Sequence, residues 1–186
     1  MTIYFHKALK SKWGALSPMY PSPIIINGVK YATAEHYYQS TKYEGEYSKL
    51  IRQQETSYKA ILLAEKRIAK GYWRKDEKKR LKLNSLIKKF NDIPIRKDWE
   101  QIKVSVMSTA LRAKFFQHPK LNKLLLSTGN EYIVAHRSMD NYWGNGKDGL
   151  GENNLGKLLM EIRYNIGLIL SGNFMKIEQR KTDFSP

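Results

Sequence analysis

The chain has 186 residues, enough for one domain to bury about two-thirds of its unfolded surface without a disulfide or metal staple. Hydrophobic residues at 41% and aromatics at 12% exclude wholesale disorder, and the lack of cysteine removes disulfides, thiolate catalysis and cysteine-held zinc. The formal charge is +16, and half of that excess lies between Glu65 and Phe90, where eleven Lys/Arg stand against three Asp/Glu. Such a patch is either a solvated helical face or a footprint for phosphates. No run approaches the roughly 18 apolar residues of a membrane span. The start, MTIYFHKALKSKW, lacks the apolar stretch of a secretory signal. The expectation is a cytoplasmic protein with no membrane partner.

In chain order, Ile3–Phe5 reads as a short strand, and Pro18, Pro21 and Pro23 lead into Ile24-Ile25-Ile26. Asn27-Gly28 followed by Val29, Lys30 and Tyr31 predicts a hairpin. Thr33 stands where an N-cap belongs, predicting a helix through Glu35 and Tyr38 to near Tyr43. Further helices are expected over about Tyr47–Gln54 and Ser57–Lys70, the latter with Ile61, Leu62, Ala64 and Ile68 at near-helical spacing. Trp73–Phe90 carries Leu81, Leu83, Leu86 and Ile87 among its lysines and suits an amphipathic helix. After Pro94, Asp98 is placed to cap a long helix whose stripe is Ile102, Val106, Ala110 and Leu111, ahead of Phe115 and Phe116. A helix over Pro119–Leu126, a strand over Tyr132–His136 and a loop rich in glycine follow. Asn153 or Asn154 opens the last helix, which turns Leu155, Leu158, Leu159, Ile162 and Ile166 inward. The organisation expected is one domain over 1–170 and a polar tail over 171–186.

Three segments hold residues suited to chemistry. In the first helix Glu35, Gln39 and Lys42 share one face, turned either to solvent or to a pocket. Glu35 lies two positions past the cap, where the helix dipole favours its carboxylate form. The second segment, residues 139–154, sets Asp140, Asn141, Tyr142, Trp143 and several glycines beside a helix N-terminus that would offer free N–H groups to a phosphate. Its glycine spacing matches neither the dinucleotide fingerprint nor the phosphate loop. The third is Asp98-Trp99, with Trp99 either core or a stacking surface. His36, His118 and His136 lack metal-binding spacing, so neither a metal site nor a cofactor is expected.

Taken together, Ser22-Pro23-Ile24, Asn27-Gly28, Thr33-Ala34-Glu35-His36-Tyr37-Tyr38-Gln39 with Lys42, Asp98-Trp99, Val106-Met107, Ala113-Lys114-Phe115, Asp140-Asn141-Tyr142-Trp143-Gly144 and the run Asn153 to Arg163 follow the order of the NADAR (YbiA-like) family. The sequence resembles that family of N-glycosidases over about residues 12–168. The resemblance implies an α+β fold, predominantly helical, as a single YbiA-like domain with small β elements. It implies an active-site group of Glu35, Trp99 and Asp140, with Lys42 either binding phosphate or forming a Schiff base at C1′ of the opened sugar. Trp143, Gly144, Asn141, Gln39, Asn154 and Lys157 are the expected substrate-binding residues. The basic stretch near 72–90 departs from the family pattern as an apparent insertion.

The chemistry implied is hydrolysis of a bond between ribose C1′ and nitrogen. Family substrates are ADP-ribose linked to guanine in nucleic acid and phosphoribosylamino-pyrimidine intermediates of riboflavin biosynthesis. The basic insertion favours the first, through DNA or RNA contact at Lys78, Lys79, Arg80, Lys82, Lys88 and Lys89. A non-catalytic module that binds ADP-ribose or nucleic acid is the remaining alternative, and the presence of Glu35, Trp99 and Asp140 at their matching places argues against it.

Overall fold

The computed structural model describes residues 1–6, 11–67 and 77–172. Its elements, in order, are β1 (Thr2–Phe5), a 3-10 helix (Lys12–Leu16), β2 (Ile24–Ile26), β3 (Val29–Tyr31), α1 (Ala34–Ser40), α2 (Gly45–Arg52), α3 (Ser57–Ala64), α4 (Glu77–Lys89), α5 (Trp99–Gln117), α6 (Pro119–Leu126), β4 (Tyr132–Ala135) and α7 (Asn154–Leu170). The fold is α+β and predominantly helical. None of the described helices is long and apolar enough to cross a membrane. The chain divides into two compact units, Met1–Ser17 with Phe115–Pro186, and Pro18–Lys114.

In the first unit, β1 pairs in parallel with β4, Ile3 opposite Ile133 and Phe5 opposite Ala135. Ile3, Phe5, Ile133, Val134 and Ala135 are buried. α7 packs on β4 and α6 packs on α7. The five apolar residues expected to face inward from α7, Leu155, Leu158, Leu159, Ile162 and Ile166, all do so. Arg163 fixes the opposite side of α7 by donating to Thr128 Oγ1 at 2.8 Å and to the Glu131 carbonyl at 2.9 Å.

In the second unit, Asn27 and Gly28 turn the β2–β3 hairpin with positive φ at both positions, 49° and 74°, as a primed turn requires. Thr33 caps α1 through Oγ1, which accepts from the His36 amide at 3.2 Å. α1 ends at Ser40 and not near Tyr43, because the Ser40 and Thr41 hydroxyls both bond the Tyr37 carbonyl that closes the last turn. α3 likewise stops at Ala64, short of the expected Lys70. Lys66 is left-handed at φ 53°, its amide bonds the Leu63 carbonyl, and the Arg67 amide bonds the Leu62 carbonyl. That is a Schellman closure built on lysine instead of glycine. Residues 68–70 lie outside the described residues, as do 73–76 of the expected basic helix.

From Glu77 the basic segment is helical as its periodicity predicts. Leu83, Ile87 and Phe90 enter a core cluster with Tyr43, Tyr47, Ile51, Leu62 and Leu63. Phe90 stacks on Tyr47 at 4.9 Å between ring centroids. The basic helix is therefore anchored by an apolar face.

Asp98 sits at the start of α5 and its carbonyl accepts the first helical bonds, but its carboxylate does not cap. It turns back to Arg96, with Nε–Oδ1 at 2.6 Å and Nη2–Oδ2 at 2.9 Å. That guanidinium holds the Asp98 carboxyl below the usual carboxylate range. The buried stripe of α5 is Val106, Met107, Ala110, Leu111, Lys114 and Phe115. Ile102, expected on the stripe, is only half-buried, and of the two phenylalanines that follow the stripe Phe115 is buried and Phe116 exposed.

Candidate active site

Two clusters, one in each unit, contain the residues singled out from sequence. In the second unit the first turn of α1 places Glu35 inside the protein. Its amide bonds the Pro18 carbonyl at 3.0 Å, and its side chain is 5% exposed. One turn later Gln39, also buried, donates from Nε2 to Glu35 Oε1 at 2.7 Å. The polar stripe of α1 thus faces inward. The intervening His36 is structural: Nε2 bonds the Gln54 carbonyl at 3.0 Å, and Nδ1 lies 2.8 Å from Thr33 Oγ1. A carbonyl only accepts, so Nε2 carries a proton, and burial lowers the ring's pKa below the ordinary histidine value against the opposing Gln54 hydrogen bond.

Lys42 lies two residues past α1, in the turn that follows it, and is buried. Its Nζ stands 5.4 Å from the centre of the Tyr38 ring and 5.7 Å from that of Trp99. Burial pulls its ammonium below the usual lysine range, against the opposing pull of the Glu65 and Glu35 carboxylates. Trp99 is 6% exposed and tilts against Tyr38 at 5.0 Å. It is a wall of the Lys42 environment with little free face. Tyr38 joins the two, a part that sequence reasoning gave it no reason to play.

In the first unit the loop 136–153 is built around Asp140. Its Oδ1 accepts from the Trp143 amide at 2.7 Å and the Tyr142 amide at 3.2 Å, while Oδ2 faces Arg137 at 3.4 Å. Asp140 therefore organises the loop and remains part-exposed. Arg137, absent from the sequence reading, is its ion-pair partner. Gly144 is buried where a Cβ would come within 2.6 Å of the Arg137 Cβ and 2.9 Å of the Ala135 carbonyl oxygen, so no larger residue fits. Trp143 is half-buried, and Asn141 and Lys157 are exposed. Asn154 bonds Glu152 at 2.8 Å.

The N-terminus of α7 differs from the open phosphate site expected. The amides of Asn153, Asn154 and Leu155 donate to the carbonyls of Gly144, Tyr142 and Trp143. The loop itself closes the helix end. Nor does Asn153 cap it with its side chain. With φ at 52°, it turns to the edge of β4, accepting from the Ala135 amide and donating to the Ile133 carbonyl, each at 2.9 Å. Among the described residues no three His, Asp or Glu side chains are grouped to hold a metal ion.

The NADAR domain profile matches residues 4–167, which takes in both units. The chain belongs to the NADAR family. It is 34% identical over 168 residues to the N-glycosidase YbiA of Escherichia coli, covering 90% of each chain. It is 32% identical over 171 residues to an N-glycosidase of Nostoc punctiforme, covering 92% of this chain and 96% of that one. The NMR structure of Escherichia coli YbiA is similar with a TM-score of 0.68 at 33% identity, over 90% of this chain and 88% of that one. A riboflavin biosynthesis protein of Vibrio vulnificus is 33% identical over 161 residues, 87% of this chain but 37% of that longer protein. N-glycosidase is the enzyme class that follows for this NADAR chain.

Proposed function

We propose that this NADAR enzyme hydrolyses the bond between ribose C1′ and a base nitrogen in ADP-ribose linked to guanine in nucleic acid, in the cytoplasm. As the C1′–N bond breaks, the base takes a proton and the sugar passes through an oxocarbenium-like state that water completes with hydroxide at C1′. Glu35 suits the charge opposite that cation. It is buried, its helix-terminal position favours the ionised form, and a preorganised carboxylate needs no rearrangement as charge develops. Asp140, fixed by two amides, suits orientation of a sugar hydroxyl or the water. Lys42, with its ammonium destabilised by burial, suits either a phosphate contact or attack on C1′ of the opened sugar. Trp99 shapes the Lys42 side, and Trp143 offers a ring to the base. Gln39, Asn141, Gly144, Asn154 and Lys157 complete the substrate contacts we assign.

The observation that carries the choice of nucleic acid is α4. Its apolar face is anchored in the core, while Lys78, Lys82, Lys88 and Lys89 are exposed. Positions 78, 82 and 89 recur at helical spacing along one side. Lys79 and Arg80 have acidic neighbours, Glu55 at 4.0 Å and Glu77 at 2.9 Å, and contribute less net charge to the track.

A second reading rests on the Vibrio vulnificus relative, whose name places it in riboflavin biosynthesis. It makes a phosphoribosylamino-pyrimidine the substrate. Separate incubation with ADP-ribosylated guanine DNA and with that pyrimidine tests the choice. The proposal expects release of ADP-ribose from the DNA with the higher kcat/KM. Preferential release of the pyrimidine base transfers the function to the second reading, and binding without any release leaves only a reader module.

A further inference from the structure

Gln39 is 3% exposed, yet among the described residues its Oε1 has no hydrogen-bond partner. The amide cannot be turned round to relieve this. Nε2 lies 2.7 Å from Glu35 Oε1, and an ionised carboxylate only accepts, so the NH2 group must face Glu35 and the carbonyl oxygen must face away. A buried acceptor left unmade carries the full penalty of its lost hydration, and such groups in folded proteins call for an explanation. The same helical turn holds Glu35, and both heteroatoms of the amide sit on one carbon, so the unmet acceptor stands beside the Glu35 carboxylate.

We propose that Gln39 Oε1 accepts a hydrogen bond from the 2′-hydroxyl of the substrate ribose, and that this contact restricts the enzyme to ribosides over 2′-deoxyribosides. The assignment rests on the glycosidase reading above. If Glu35 opposes the positive charge at C1′, an acceptor at its side meets the sugar atom one bond away, C2′, whose hydroxyl is a donor. Bonds to that hydroxyl strengthen as the oxocarbenium-like state forms. A 2′-deoxy sugar brings no donor and leaves Oε1 buried and unpaired in the complex. Sites built to bond a substrate hydroxyl reject analogues lacking it by on the order of 10⁴-fold or more. The selectivity has a use: an N-glycosidase with a cationic surface that meets DNA must spare the deoxyribosyl–base bonds of DNA itself.

The test compares ribose 5-phosphate with 2-deoxyribose 5-phosphate by titration calorimetry, in the wild type and in Gln39→Met, which keeps the length and removes the acceptor. The wild type is expected to bind the ribose compound at least about tenfold more tightly, the scale of one hydrogen bond, and Gln39→Met to bind both at the weaker level. Equal binding by the wild type overturns the proposal, and so does a preference that survives in Gln39→Met, which leaves Oε1 holding a water only. Should Gln39→Met not fold, Gln39→Asn withdraws the amide by one methylene and is expected to erode the same preference; a preference kept intact there counts against the proposal. Base release from an N-riboside is measured alongside. Cleavage without sugar preference overturns the Gln39 assignment alone, whereas no cleavage of any N-riboside overturns the activity on which it rests.

Discussion

Glu35 and Asp140 are both carboxylates, yet their surroundings set them apart. Glu35 is buried and accepts from the Gln39 amide, whereas Asp140 is part-exposed and ties down a loop. Glu35→Gln keeps size and removes charge, so turnover should fall roughly a hundredfold, about 3 kcal/mol, with the circular dichroism spectrum unchanged; a near wild-type rate removes Glu35 from the chemistry. Asp140→Asn retains an oxygen for the Tyr142 and Trp143 amides and should lose rate with little loss of stability. Asp140→Ala should lower the melting temperature as well, and equal melting of the two variants would contradict the loop-organising role.

Lys114 makes a different prediction. It is fully buried, and burial pushes its ammonium down to about 7. Between that value and the ordinary lysine range the unfolded chain binds the extra proton, so stability rises with pH through this window, by at most about 1.4 kcal/mol per pH unit from this one group. Thermal melts from pH 7 to 9.5 should show a steeper rise in the wild type than in Lys114→Met. Parallel curves would mean that Lys114 is not the buried titrating group.

At the level of elements, periodicity and turn chemistry were legible where local rules act alone. The Asn27-Gly28 hairpin, the Thr33 cap, α6 and the inward face of α7 follow from residues within a few positions of one another. Helix ends were less legible. Nothing local marks Lys66 as a left-handed closure, because lysine there is held from afar, its Nζ donating to the carbonyls of Asn91 and Ile93. Lys114 was legible in part: it lies seven residues past Met107 and three past Leu111, so the stripe includes it, but charge argued for solvent. Sequence reading paired Glu35 with Gln39 through helical spacing, whereas Tyr38 and Arg137 were missed because their roles come from packing and loop closure.

Trp99, buried against Tyr38, joins core and site. Trp99→Ala should lower stability by about 3–5 kcal/mol, and a melting temperature equal to wild type would show that the ring is not packed. In α7 a Cβ on Gly156 would clash with the Ile133 carbonyl oxygen and with the Asn153 side-chain Nδ2. Gly156→Ala must therefore push the helix off β4 or break the Asn153 bridge. A loss of at least about 1–3 kcal/mol in denaturant unfolding is expected, and a neutral result would contradict the close approach of α7 to β4.

For the molecule as a whole, the question is whether a charge of +16 has a partner or only a solvent. The fold gives the basic segment a purpose-neutral anchor, Leu83, Ile87 and Phe90 in the core, and leaves its outward lysines to be tested. Glutamine at positions 78, 79, 80, 82, 88 and 89 removes the outward charge without touching that anchor. Phosphate contacts made by these side chains would each contribute about 0.9 to the logarithmic salt slope on duplex DNA. The decisive measurement is kcat/KM for release of ADP-ribose from modified guanine DNA across a salt series, in the wild type and in this six-fold variant. The wild type should lose activity steeply as salt rises, and the variant should be slower at low salt with a flatter slope, while both cleave a small nucleotide substrate alike. Coincident salt profiles on DNA would contradict nucleic acid as the substrate's carrier and return a small phosphoribosyl compound to first place.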